Sequence, residues 1–148
     1  MLRYLLLVTT LLSPLVFADN LPLRPVQGEY IDIYAQSEDD IKLILDTLNQ
    51  RADLQTSEPV PPIVMLLHGP EAMRFLRSYY SENMSLVDSA AKLSAYGLLD
   101  VRICETWMRR NKHGQDELFP FIDTVPFVPR EIKRLEKEEE FAEFSVDL

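Results

Sequence analysis

The sequence has few cysteines, histidines and glycines, the residues that form disulfides, metal sites and phosphate-binding loops. It contains one cysteine, so no internal disulfide can form and packing alone must hold the fold. The two histidines, together with that one cysteine, are too few soft ligands for a metal site. The four glycines form no cluster, which excludes a glycine-rich phosphate loop. The net charge is -9, and a field of that sign repels nucleic acid and anionic membranes. We therefore expect no metal, no cofactor and no nucleic-acid partner.

Residues 1–18 have the pattern of an export signal. Arg3 supplies a positive charge, an apolar stretch follows, and Val16 and Ala18 suit a signal peptidase, so we predict cleavage after Ala18. A membrane anchor is the alternative, but the stretch is interrupted by polar residues and Pro14 and is shorter than the roughly 20 residues of a spanning helix. The pattern predicts an exported protein, periplasmic or otherwise extracytoplasmic, without membrane contact after cleavage.

The rest of the chain has the organisation of one α/β domain. Residues 19–28 contain two prolines and indicate an extended leader, after which residues 29–148 alternate between strand-like and helix-like patterns. The continuous apolar run 63–67 predicts a strand buried on both faces. The other predicted strands are 30–35, 99–103, 124–128 and 141–146, and the predicted helices follow Ser37, Glu71, Ser85, Glu105 and Pro129. This alternation predicts a mainly parallel sheet of about five strands, covered on both sides.

Two side chains that can carry chemistry come directly after predicted strands. Cys104 stands where strand 99–103 meets a helix, and the amides of a helix start favour a thiolate, the nucleophile that accepts a sulfane sulfur. The other interpretation is a small buried apolar residue. His68 follows strand 63–67 and is either a base or proton donor near the thiol, or a side chain bonded to backbone at the strand end. Because sites in parallel sheets lie at the carboxyl ends of strands, we place Cys104, His68 and Gly69 in one candidate site.

The charged residues around Cys104 have opposite effects on a thiolate. Glu105 places a negative charge next to the sulfur and disfavours ionisation of the thiol. Arg102, Arg109 and Arg110 would offset that charge if they fold back toward the sulfur, which their spacing alone does not settle.

Several short motifs follow one another along the chain in a defined order. They are IVMLLHGPEA at 63–72, Gly97, VRICET at 101–106, DELFP at 116–120 and VP at 125–126. Their order resembles that of the DsrE/DsrF-like family of small sulfur-relay proteins, and most closely its exported branch, whose members have a signal peptide and one cysteine. The resemblance covers roughly residues 30–144.

This resemblance has implications for fold, assembly and site. It implies a flavodoxin-like or Rossmann-like α/β sandwich that assembles into homo-oligomers, as trimers or hexamers. It also implies that Cys104 corresponds to the sulfur-carrying cysteine of the family and that His68 and Gly69 belong to the motif after the second strand. We take Gly69 and Thr106 as candidate binding residues.

Two hypotheses about function follow. In the first, an exported sulfur relay, Cys104 accepts and passes on a persulfide sulfur without a cofactor, His68 gives or takes a proton, and the partners are a sulfur donor or acceptor protein or a small sulfur compound. In the second, a non-catalytic DsrE-like assembly or ligand-binding module, the cysteine is buried and inert. Glu105, where the family commonly has a small or neutral residue, favours the second. The chain also has Glu140 where a glycine usually precedes the last strand. A cysteine hydrolase using Cys104 and His68 is a third hypothesis.

Overall fold

The described part of the chain, residues 27–53 and 61–144 of a computed structural model, is organised around a five-stranded sheet. The strands are β1 (Glu29–Ile33), β2 (Ile63–Leu67), β3 (Leu99–Cys104), β4 (Ile122–Val125) and β5 (Ala142–Glu143). All neighbouring strands are parallel, in the order β4-β3-β2-β1-β5. The predicted α/β fold with a mainly parallel sheet of about five strands is confirmed, and its architecture is flavodoxin-like or Rossmann-like.

Four α-helices flank the sheet, and the core consists of two apolar clusters, one on each side of the sheet. The helices are α1 (Glu38–Asp53), α2 (Tyr80–Ala95), α3 (Glu105–Arg110) and α4 (Val128–Glu138). The buried residues of α1 and α2 pack with one set of alternating strand residues, such as Ile33 and Leu67. The buried residues of α4 pack with the other set, which includes Leu66 and Cys104. We call these two sides of the sheet the α1/α2 face and the α4 face.

The central strand is β2, and all five of its residues are buried because helices cover both of its faces. This position explains the uninterrupted apolar run that the sequence shows. β3 alternates buried residues with the half-buried Asp100 and Arg102 and lies one strand in from the edge formed by β4.

The segment after β2 differs from the predicted helix beginning at Glu71. It forms two 3₁₀ helices, Pro70–Phe75 and Arg77–Tyr79, separated by Leu76 in an extended conformation. Leu76 is fully buried and forms an isolated antiparallel bridge with Leu118. This distant pairing holds Leu76 out of a helix, so that no continuous α-helix forms.

α2 begins at Tyr80, earlier than the predicted start at Ser85, but a break at Asn83 separates its first turn from the rest of the helix. Asn83 has non-helical angles, φ −122° and ψ 22°, and the regular helix continues only after it. At the other end, Gly97 has a φ of 70° and follows the helix as predicted. The N–H of Leu98 donates to the carbonyl of Leu93, which completes a Schellman motif around the glycine.

The strand boundaries and the chain ends bring further differences. Strand 30–35 stops at Ile33, because Ala35 already has a left-handed φ of 60°. Strand 124–128 is shifted toward the N-terminus, since β4 ends at Val125 and α4 begins at Val128. Glu140 adopts a φ of 57° between α4 and β5. Of the predicted closing strand 141–146, residues 141–144 are described, and within them the strand β5 covers Ala142–Glu143. The export signal and the leader residues up to 26 lie outside the described residues. No described helix has the length and apolar character needed to cross a membrane.

Candidate functional site

The carboxyl ends of three neighbouring strands bring Tyr34, His68 and Cys104 into one row on the α4 face. Leu67, the last residue of β2, is paired with β1 on one side and with β3 on the other. The residues that follow these paired positions are Tyr34, His68 and Cys104. Since parallel strands lie about 4.8 Å apart and alternate residues share a face, the three residues occupy adjacent positions on that face. The structure therefore places the two candidate residues on which the site depends, His68 and Cys104, at adjacent positions on neighbouring strands.

A carboxylate on β1 holds the imidazole of His68. Nε2 of His68 lies 2.7 Å from Oδ1 of Asp32, and the two side chains are 20% and 33% exposed. The imidazole also packs against the ring of Tyr34, with 5.0 Å between the ring centroids. The alternative in which His68 bonds to backbone at the strand end is therefore wrong, because its partner is a side chain. Asp32 was missed by the sequence reasoning, although its place on the polar side of an alternating strand was a usable signal.

Cys104 stands at the predicted junction between β3 and α3, but it is only 4% exposed. It packs in the smaller apolar cluster with residues such as Leu66, Val125 and Val128, and Trp107 of α3 packs against that cluster. Its side chain makes no capping bond to the amides of α3. The thiol thus lies where the prediction placed it, yet beneath a layer of apolar side chains.

The charged residues flanking the thiol are engaged with other partners. Glu105 accepts a hydrogen bond from the Thr124 hydroxyl at 3.0 Å and forms an ion pair with Arg109 at 3.4 Å. Arg102 forms ion pairs with Asp100 at 2.6 Å and with Glu131 of α4 at 2.5 Å. Glu105, Arg109 and Arg102 are therefore all engaged in contacts within the fold.

Ion pairs and hydrogen bonds attach α4 to the sheet beside the site. Glu131 binds Arg134 at 2.7 Å in addition to Arg102. Hydrogen bonds from Arg134, followed by its charge and that of Arg102, hold the pKa of Glu131 below its usual range. The Tyr30 hydroxyl donates to Glu136 at 2.7 Å, and burial together with this bond raises the pKa of Tyr30. These contacts fix the helix that covers Cys104.

A fully buried carboxylate, Glu71, binds the loop that follows β1 and the loop that follows β2. The two oxygens of Glu71 accept the backbone N–H of Gly69 at 2.7 Å and that of Ala35 at 2.8 Å. A Cβ on Gly69 would stand 2.5 Å from Glu71 Oε2 and 3.0 Å from the ring of Tyr34. Gly69 is therefore needed for close approach, and its amide is already bound to Glu71. The sequence reasoning did not identify this role of Glu71.

The hydroxyl of Thr106, the other candidate binding residue, is also hydrogen-bonded within the fold. It donates to the carbonyl of Pro126 at 2.8 Å and accepts from Arg109 at 3.1 Å. These bonds tie α3 to the segment that follows β4. At this edge of the sheet the candidate site thus consists of the thiol of Cys104 and the imidazole of His68, with Asp32 bonded to that imidazole. Within residues 27–53 and 61–144, no three acidic, histidine or cysteine side chains are grouped to hold a metal ion.

The comparisons with known proteins bear on the fold. No protein-family model and no curated protein matches the sequence. Among solved structures, the chain is similar to MTH1491, a protein of unknown function from Methanobacterium thermoautotrophicum. The TM-score is 0.55 and the identity 22%, over 79% of this chain and 95% of that one. At this identity the likeness shows a common fold, in agreement with the parallel sheet described above.

Proposed function

We propose that this chain is an exported sulfur-relay protein of the DsrE/DsrF-like type, in which Cys104 accepts a sulfane sulfur and passes it on. The observation that carries the proposal is the row of His68 and Cys104 at the carboxyl ends of a parallel sheet, the edge where such folds place their sites. The motif order supports the reaction class, and the pattern of residues 1–18 supports an extracytoplasmic location.

The chemistry is a thiol exchange that needs no oxidant and no reductant. The thiolate of Cys104 attacks the terminal sulfur of a donor persulfide, so that a new S–S bond forms on Cys104. The S–S bond of the donor breaks, and the donor thiolate leaves with the electron pair. His68 takes the thiol proton and returns it to the departing thiolate. A second exchange, onto an acceptor thiolate, empties Cys104 again. Donor and acceptor are proteins or small sulfur compounds.

Access to the sulfur is the step that this structure makes demanding. Because Cys104 is 4% exposed, the exchange requires a local opening of the side chains that cover it. Trp107, on the short helix α3, is half-buried and packs against both apolar clusters. It follows Cys104 by three residues, and its ring is a side chain that such an opening would move. The proposal includes assembly into a homo-oligomer, a trimer or hexamer, which light scattering on the purified protein measures.

Mass spectrometry tests the proposal directly. After incubation of the folded protein with inorganic polysulfide, a sulfane-sulfur donor, we expect a gain of about 32 Da on Cys104 that a reducing thiol removes. A Cys104→Ser variant should gain no mass and serves as the control for adventitious sulfur. A native thiol that takes up no sulfur, while the urea-unfolded chain does, would contradict the relay.

The burial of Cys104 favours one other candidate, a non-catalytic assembly or ligand-binding module with the same fold. A cysteine enclosed by Leu66, Val125 and Val128 behaves as a small apolar residue of the core. In that case iodoacetamide reacts with Cys104 only as fast as the chain unfolds, at every pH. A rate in the native state that exceeds the unfolding rate and rises with thiolate formation supports the relay instead.

A further inference from the structure

Asp32 is a carboxylate in the middle of a strand, on a face that is otherwise largely covered. Burying part of such a group is unfavourable unless it is hydrogen-bonded, and among the described residues His68 is the one side chain that bonds to it. Arg102, a cation on the same face, is paired with Asp100 and Glu131. Among the described residues, Asp32 is therefore bound to His68 and forms no ion pair with an arginine or lysine.

This contact determines which nitrogen of His68 carries the proton. An ionised carboxylate can only accept, so Nε2 of His68 donates to Asp32. In the neutral imidazole the other nitrogen, Nδ1, is then the acceptor. The lone-pair directions of the two ring nitrogens diverge widely. A ring whose Nε2 is held toward β1 therefore turns Nδ1 away from β1, toward the side on which β3 and Cys104 lie.

We infer that Asp32 is a positioning residue for Cys104: by holding Nε2–H of His68 it presents Nδ1 as the base that takes the thiol proton. The inference deepens the relay proposed above and rests on it for the reaction in which the thiolate is used. The proton moves from Sγ of Cys104 to Nδ1 of His68, and Asp32 stabilises the imidazolium that results. No hydrogen bond joins His68 to Cys104 among the described residues, so the transfer proceeds after a rotation of the cysteine side chain or through one water.

The test compares Asp32→Asn with a matched control elsewhere in the chain. His113 forms a second histidine–carboxylate pair, with Nδ1 3.0 Å from Glu117, so Glu117→Gln makes the same chemical change away from the row. The readouts are the rate at which iodoacetamide alkylates Cys104 in the folded protein and the rate of sulfur loading from polysulfide. We expect Asp32→Asn to slow both rates by about 10- to 100-fold, the range found for carboxylates that hold a functional histidine from behind, and Glu117→Gln to leave them unchanged.

A double-mutant cycle separates positioning from a merely structural role. If Asp32 acts through His68, His68→Gln lowers the alkylation rate to a similar extent, and Asp32→Asn adds nothing in the His68→Gln background. Independent effects that multiply in the double variant would overturn the inference. Asp32→Glu, which keeps a carboxylate, should recover part of the rate and remains informative if the asparagine variant does not fold.

The outcomes distinguish this inference from the relay itself. Equal rates in folded Asp32→Asn and wild type overturn the positioning role and leave the relay standing. Alkylation of Cys104 that depends on Asp32, without any sulfur loading, upholds the positioning role and overturns the relay. A native thiol that does not react with either reagent overturns both.

Discussion

Replacing Glu71 with glutamine is the sharpest test of how the loops beside His68 are held. The side chain is fully buried, and each of its oxygens accepts one backbone N–H, from Gly69 at 2.7 Å and from Ala35 at 2.8 Å. Glutamine has the same shape but only one oxygen. Its NH₂ group would face one of the two N–H donors, so one hydrogen bond is lost and a buried donor is left without an acceptor.

The size of the effect follows from these two bonds. A hydrogen bond to a charged group contributes about 1.5–3 kcal/mol, and an unsatisfied buried donor costs about 1–3 kcal/mol. Both figures describe the same lost contact and are not added. The lower desolvation cost of the neutral amide offsets part of the loss. We therefore expect Glu71→Gln to lower the free energy of unfolding by about 2 kcal/mol.

Equilibrium urea unfolding, followed by circular dichroism, measures this difference. The dependence of free energy on urea should be unchanged, because the surface exposed on unfolding is the same. Glu138→Gln makes the identical change at an exposed position near the end of α4 and should have almost no effect. A loss below about 0.5 kcal/mol in Glu71→Gln, within the range of ordinary surface substitutions, would refute the role assigned to the buried carboxylate.

Three further predictions concern stability. Gly69→Ala should cost about 2 kcal/mol or more, because its Cβ would stand 2.5 Å from an oxygen of Glu71, and a wild-type urea midpoint would contradict this. Glu140→Gly should be more stable than Glu140→Ala by about 0.5–1 kcal/mol, because both variants lose the contacts of the glutamate side chain and only glycine relieves a φ of 57°, and equal urea midpoints would contradict this. Hydrogen bonds from Arg134 lower the pKa of Glu131 in the folded state. The ionised carboxylate therefore stabilises the fold at pH values above its unfolded pKa of about 4.3, and this stabilisation is lost as the pH falls through the lower folded pKa. The difference in unfolding free energy between wild type and Glu131→Gln should therefore shrink between about pH 6 and about pH 3 in urea titrations.

Local patterns predicted those parts of the fold in which the periodicity of a segment decides its structure. The apolar run of β2 indicated the central strand, and the alternation that ends at Cys104 indicated a strand followed by α3. The segment after Glu71 shows the limit of such patterns. Its apolar spacing fits an α-helix, but the pairing of Leu76 with Leu118 is a tertiary contact, and that contact determines the backbone there.

The candidate site was predictable only in part, for a related reason. Cys104 and His68 both lie at the carboxyl ends of strands, so the rule that parallel strands end at one edge was sufficient to place them at the same edge of the sheet. The partner of His68 was not predictable, because the bond to Asp32 joins residues 36 positions apart and depends on the register of β1 against β2. Alternation tells which residues of a strand share a face, but it does not tell which residue of the next strand lies opposite.

The two-residue strand β5 protects the first strand of the domain from association with other chains. The N–H of Ala142 donates to Gly28 and that of Phe144 to Tyr30, so the last described segment covers the outer edge of β1. Without β5, the backbone of β1 would present a row of unpaired donors and acceptors, the arrangement through which sheets join edge to edge. So short a strand detaches at little free-energy cost, and its amides should exchange with deuterium well before those of β2. Loss of these few hydrogen bonds would thus open β1 to edge-to-edge association.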